Sequence, residues 1–169
     1  MTKLFAALLL FSICSLARAD LEIKGIEVDK PANCAHIAGL EQRKGTFLDS
    51  CNAKRKSWFT RISFLDGQTD MWVTQSLDGI VLTVALSGFD FDLAFTSLTS
   101  KFGKPEILNS TIQNRMGAKF DQIDATWRDG EKLLQLSKHG TEIGKSFLVL
   151  KGSESTKEFK DKTKPSNNL

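Results

Sequence analysis

Gly25-Ile26-Glu27-Val28-Asp29 and Gly88-Phe89-Asp90-Phe91-Asp92 carry one pattern, Gly-apolar-acid-apolar-Asp, 63 positions apart. The same offset relates Phe64-Leu65-Asp66-Gly67 to Trp127-Arg128-Asp129-Gly130. It also relates Ile80 to Ile143 and Val84-Ala85-Leu86 to Phe147-Leu148-Val149. Several separated matches in one register predict an internal duplication, and a repeat fixes architecture before any other feature. The expected copies are residues 20–87 and 88–151.

Each copy reads as a helix followed by three strands. In the second, Asp92 suits an N-cap, because a carboxylate can accept from the free amides of a first helical turn. Leu93, Phe95, Leu98 and Phe102 follow at helical spacing, and Gly103 with Pro105 end the run. In the first copy Asp29 takes the capping place and Pro31 the first turn, with Ala32, Ala35 and Ile37 as the apolar stripe. Alternation then marks strands. Trp58, Thr60, Ile62 and Phe64 point one way, and Phe59, Arg61 and Ser63 the other. Asp66-Gly67 and Asp78-Gly79 divide this meander, and Asp129-Gly130 divides the next. Residues 109–119 show little periodicity and read as a loop with an irregular strand start. The fold class expected is α+β: two tandem helix-plus-three-strand repeats forming antiparallel sheet, with the helices on one face. The other face is then open, which antiparallel sheet tolerates when that face is polar or covered by a partner.

The ends differ from this body. Residues 1–19 have the form of a secretory signal peptide: Lys3, an apolar run over residues 4–13, and the small-x-small site Ala17-Arg18-Ala19. A lipid anchor on Cys14 is the competing reading, but Ile13 stands where a small residue normally precedes a lipidated cysteine. Residues 152–169 are rich in charge and poor in apolar side chains, and read as a flexible charged tail. The chain has 169 residues with 23 Lys+Arg and 20 Asp+Glu, for a net charge of +3. Cleavage after Ala19 lowers the net charge to +1 and leaves Cys34 and Cys51, an even pair in an oxidising compartment. Their disulfide closes a loop of about 18 residues and contributes roughly 3 kcal/mol on the chain-entropy scale. Residues 20–150 are nearly neutral, which argues against nucleic acid as a partner, since that needs a basic face on the domain. No apolar run reaches bilayer-spanning length.

Gly25-Ile26-Glu27-Val28, Gly88-Phe89-Asp90-Phe91, the helix ending Phe102-Gly103-Lys104-Pro105 and the strand ending Trp127-Arg128-Asp129-Gly130 together resemble one superfamily. It contains the β-lactamase inhibitory proteins and the small outer-membrane assembly lipoproteins. The resemblance covers residues 21–151 and implies an exported protein that binds other proteins and is not an enzyme. The chain departs from the lipoproteins at Cys14, and from the inhibitors in having no tyrosine.

Catalytic chemistry is sparse. His36 lies near Cys34, and His139 in Lys138-His139-Gly140-Thr141; neither has a motif of acids or thiols spaced around it. Gly140-Thr141-Glu142-Ile143-Gly144-Lys145-Ser146 has the residues of a phosphate loop at the wrong spacing, and leads into a strand where such a loop needs a helix. No cofactor or metal is expected. Asn109-Ser110-Thr111 is a glycosylation sequon, which matters only in a glycosylating host. Lys54-Arg55-Lys56-Ser57-Trp58-Phe59 reads either as a solvated loop leading into a core strand or as a cationic and aromatic anchor for an acidic protein, an anionic glycan or a phospholipid surface. If Met71 and Val73 face the helices, Trp72 faces outward. The protein-binding candidates are therefore Trp72, Trp58, Lys54, Arg55 and Lys56. The function expected is an exported, periplasmic or extracellular, protein-binding module of inhibitor or immunity type. The alternatives are a structural factor in envelope assembly and a small hydrolase using His139 with a carboxylate.

Overall fold

The computed structural model describes residues 20–40, 51 and 57–156. A small hairpin comes first, β1 (Glu22–Ile23) and β2 (Ile26–Glu27). Its turn, Lys24-Gly25, holds both residues at positive φ, 53° and 74°, the geometry that joins twisted strands over a two-residue loop. Gly25 is needed for a second reason: a Cβ there would stand 2.9 Å from His36 Nε2. Helix α1 (Cys34–Gly39) follows.

A seven-stranded antiparallel sheet then forms from β3 (Ser57–Phe64), β4 (Gly67–Gln75), β5 (Val81–Ser87), β6 (Glu106–Gln113), β7 (Lys119–Asp129), β8 (Lys132–Ser137) and β9 (Phe147–Lys151). Helix α2 (Phe91–Phe102) separates β5 from β6. The strand order is β3-β4-β5-β9-β8-β7-β6. Two meanders thus run inward from opposite edges and meet at the β5–β9 pair. The protein is mostly β, an open antiparallel sheet with short helices.

One buried cluster joins the helices to the sheet. It holds Ile37 of α1 and Ala94 and Leu98 of α2 beside Trp58, Ile62, Met71, Val73, Val84, Leu86, Trp127, Leu134, Leu136, Leu148 and Leu150. These strand residues alternate with outward ones, so both helices lie on one side of the sheet. Trp127 can be buried because its indole N–H donates to the Gly103 carbonyl at the end of α2, at 2.7 Å. Gly103 itself takes φ 81°, which ends the helix.

Several local expectations are corrected. The N-cap of α2 is Asp90, whose carboxylate accepts from the Leu93 amide at 2.8 Å, and Asp92 lies in the first turn. Of the expected stripe, Leu98 is buried and Phe95 and Phe102 pack against the core, while Leu93 is exposed and Ala94 takes an inside place. The N-cap of α1 is Asn33, not Asp29. Pro31 precedes the helix, in an isolated bridge to Ile80, and Ala35 is exposed. Residues 106–113 are a strand, so α2 is followed by four strands and not three. That strand is exposed on both sides, which is why no period marks it.

The 63-residue offset is not kept along the sheet. It lays Met71 and Val73 on Leu134 and Leu136, which share the inward side. It then lays inward Val84 and Leu86 on Phe147 and Val149, which point the other way, and Ile80 on Ile143, which lies between strands.

The chain continues past β9 into a helical turn at 153–156, where a flexible tail is expected from residue 152. Asp29 caps this turn. Its two carboxylate oxygens accept from the Ser153 amide at 3.0 and 2.9 Å across 124 residues of sequence. The rest of the tail, and residues 1–19, lie outside the described residues. No helix among the described residues is long and apolar enough to cross a membrane.

Candidate protein-binding face

The sheet side away from the helices is built from the alternate residues of each strand. One cross-strand row runs the full width: Phe59, Trp72, Ala85, Val149, Gln135 and Thr126, ending at Glu106. Its apolar end is the β3–β4 hairpin. The Phe59 and Trp72 rings lie 5.2 Å apart at 50°, and Phe59 is 53% exposed. Ala85 and Val149 continue the apolar strip into the middle of the sheet. Trp72 therefore faces outward as the alternation predicts, since Met71 and Val73 beside it are wholly buried.

The next row begins with Arg61, which pairs with Asp70 directly across from it at 2.9 Å. The segment between β8 and β9 folds over this end of the row. Its Glu142 binds Lys145 at 2.7 Å. The Glu142 hydrogen bond and charge, with a further pull from Asp70, hold the Lys145 ammonium above its ordinary pKa. A cavity of about 340 Å³ lies between segment and strands, lined by Arg61, Asp70, Trp72, Thr141, Glu142 and Lys145 among others. The aromatic pair is thus flanked by charges of both signs.

Buried polar contacts fix the segment. Gln122 donates to the His139 carbonyl at 3.1 Å and accepts from the His139 amide at 3.0 Å. Ser137 donates to Asp124, which also accepts from Gln122. The Gly144 amide donates to His139 Nδ1 at 3.0 Å, so that nitrogen is an acceptor. His139 touches Phe120 edge-on, and no carboxylate is among its hydrogen-bond partners within the described residues. His36 bonds through Nε2 to the Lys24 carbonyl at 2.8 Å and so ties α1 to the first hairpin. Among the described residues no group of three or more His, Cys, Asp or Glu side chains is gathered as metal ligands are.

The other sequence candidates fare differently. Trp58 is 5% exposed and belongs to the core, so it is removed from any binding surface. The reason is parity: β3 turns Trp58, Thr60 and Ile62 toward the helices. Its neighbour Phe59 takes the outward place, and this residue was absent from the sequence candidates although the same alternation marks it. Lys54, Arg55 and Lys56 lie outside the described residues. Cys34 and Cys51 form a disulfide with Cα atoms 5.7 Å apart. Asn109 is exposed in the middle of β6.

No family model matches this sequence, and no curated relative matches it. Among solved structures the chain is similar to a DUF4309 family protein, YjgB, from Bacillus subtilis. The TM-score is 0.39 and the identity 15%, over 76% of this chain and 83% of that one.

Proposed function

We propose that the chain is an exported protein-binding module, acting in the periplasm or outside the cell by surface recognition and not by catalysis, in the manner of an inhibitor or immunity protein. The observation that supports this reading is the Phe59–Trp72 pair on the sheet face away from the helices, with Phe59 53% exposed. Aromatic side chains on paired strands have few torsions left to lose, so they make efficient anchors at a partner surface. The flanking Arg61–Asp70 and Glu142–Lys145 pairs supply a polar rim of both signs. The Cys34–Cys51 disulfide favours an oxidising compartment, in agreement with the signal-like residues 1–19.

The tandem organisation belongs to the same proposal. Strands β3-β4-β5 mirror β7-β8-β9 about the β5–β9 pair, with β6 added at one edge, and each set follows a helix that packs on the same side. A single inserted residue before β9 brings Val84 and Leu86 onto Leu148 and Leu150, all inward. On this reading the resemblance to the β-lactamase inhibitory and assembly-lipoprotein superfamily extends to partner binding.

The test is comparative capture. The secreted protein, its Trp72→Ala variant and its Phe59→Ala variant are immobilised and exposed to envelope extract. A protein retained by the wild type and lost by both variants is expected. Retention that ignores both substitutions removes the face from consideration.

A further inference from the structure

We propose that a second copy of this chain adds to β6, joining two sheets edge to edge about a two-fold axis through Ser110. The proposal is independent of what the open face binds. β6 ends the sheet and pairs only with β7, so its outer row of backbone amides and carbonyls has no strand beside it among the described residues. Seven of its eight residues are exposed, with Ile107 at 48% and Leu108 at 65%. An edge of that kind is a template for another strand.

Proteins that keep such an edge apart from others use lysine, proline, a bulge or a short strand. β6 has none of these. Its sequence, Glu-Ile-Leu-Asn-Ser-Thr-Ile-Gln, contains one charge, at its first position. Its register with β7 runs unbroken from Glu106↔Thr126 to Gln113↔Lys119. The opposite edge, β3, differs: it carries Arg61 mid-strand, and its alternate residues are locked into the core.

The occupant follows from self-complementarity. In a continuous antiparallel sheet, residues directly opposite one another share a face. An axis at Ser110 sets Leu108 of each copy against Ile112 of the other, on the same side as Trp72. It sets Asn109 against Thr111 on the helix side. Glu106, which pairs with Arg128 of its own chain at 3.4 Å, then falls opposite Asn114 of the second copy, so no like charge opposes it across the seam. A foreign strand would need to reproduce all these matches, whereas a second copy brings them by symmetry.

The experiment is sedimentation equilibrium on the secreted protein, with Ser110→Lys as the variant. Ser110 is exposed, so the lysine disturbs nothing in the core, but at the axis it faces its own copy. The wild type is expected to dimerise with rising concentration, and Ser110→Lys to weaken the dimer about tenfold or more with an unchanged circular dichroism spectrum. Ser110→Cys is expected to crosslink as a dimer under mild oxidation, while Thr111→Cys does so far less, since it faces Asn109. A wild type that stays monomeric at every concentration overturns the proposal. So does a dimer that is equally tight in Ser110→Lys, or equal crosslinking of the two cysteine variants.

Discussion

Trp58 and Trp72 lie on one hairpin and have opposite fates. In the β3–β4 ladder Trp58 stands across from Val73 and Trp72 across from Phe59, one register step away. Trp58 is sealed under the helices with Ile62 and Met71, while Trp72 shares the open side with a half-exposed Phe59. The two residues are chemically identical, so the difference belongs to the sheet. A shift of one position in a strand exchanges stability for surface. The largest expected effect tests this contrast. Trp58→Ala is expected to cost about 3–5 kcal/mol of unfolding free energy, the range for removing a large aromatic from a packed core. Trp72→Ala is expected to cost less than about 1 kcal/mol, while losing partner capture. Denaturant unfolding of both variants measures the pair, and equal losses would mean the open side is as well packed as the other.

The second test concerns what holds the helices over the closed side. α1 has only six residues, too few to persist alone, and it buries one large side chain, Ile37. The disulfide fastens its first residue, Cys34, to Cys51, which is itself in the core. Replacing both cysteines by serine is expected to cost roughly 3 kcal/mol. The loss should appear as faster amide exchange in α1 and in the β1–β2 hairpin that His36 ties to it. Exchange in β6 and β7 should be little changed below the global unfolding limit.

Next in size is the rim where the two sides meet. Asp29 follows β2, takes φ 64°, and caps the turn at 153–156. Ser155 of that turn lies 3.2 Å from Thr83 across the hydroxyl oxygens, so the turn closes one end of the open side. Asp29→Ala removes the cap, with an expected cost of about 1 kcal/mol. The amides of residues 153–156 should then exchange at nearly open-chain rates. Protection that survives the substitution would assign the turn's stability to Thr156, whose hydroxyl donates to the Gly152 carbonyl.

These contrasts separate what sequence could reveal from what it could not. Alternation set Trp72 on the side opposite Met71 and Val73, because a half-buried strand writes its two sides into successive residues, and the helices decide which side is inward. The same rule parts Trp58 from Phe59 without saying which is inward, and the adjacent Lys54-Arg55-Lys56 makes Trp58 a binding candidate. β6 escaped detection for the opposite reason: a strand bare on both sides has no pattern to write. The caps were misplaced because Asp29, Asp90 and Asp92 are equivalent locally. Asp29 serves a turn 124 residues away, and only tertiary structure decides that. The strand order, with β5 beside β9, also depends on contacts that no local pattern records.

The smallest effect measures how open the open side is near that rim. Lys151 ends β9, between Thr83 and Leu133 in the ladder, and burial holds its ammonium below the ordinary lysine pKa of 10.5. Burial disfavours the charged form, so the unfolded chain binds this proton more tightly than the folded one. Stability therefore rises with pH across the window between the lowered value and 10.5, and the cost of the charge is fully present below that window. Lys151→Met is expected to remove this one contribution, so that the difference in stability between variant and wild type shrinks as pH rises through the window. In wild-type protein the Lys151 side chain should titrate below the other lysines when followed by NMR at its ε-methylene. Asp29→Ala, by loosening the turn beside it, should move that titration back toward 10.5. A Lys151 that titrates with the exposed lysines would show that solvent reaches this end of the sheet as freely as it reaches Phe59, and the rim would then be no boundary between the two sides.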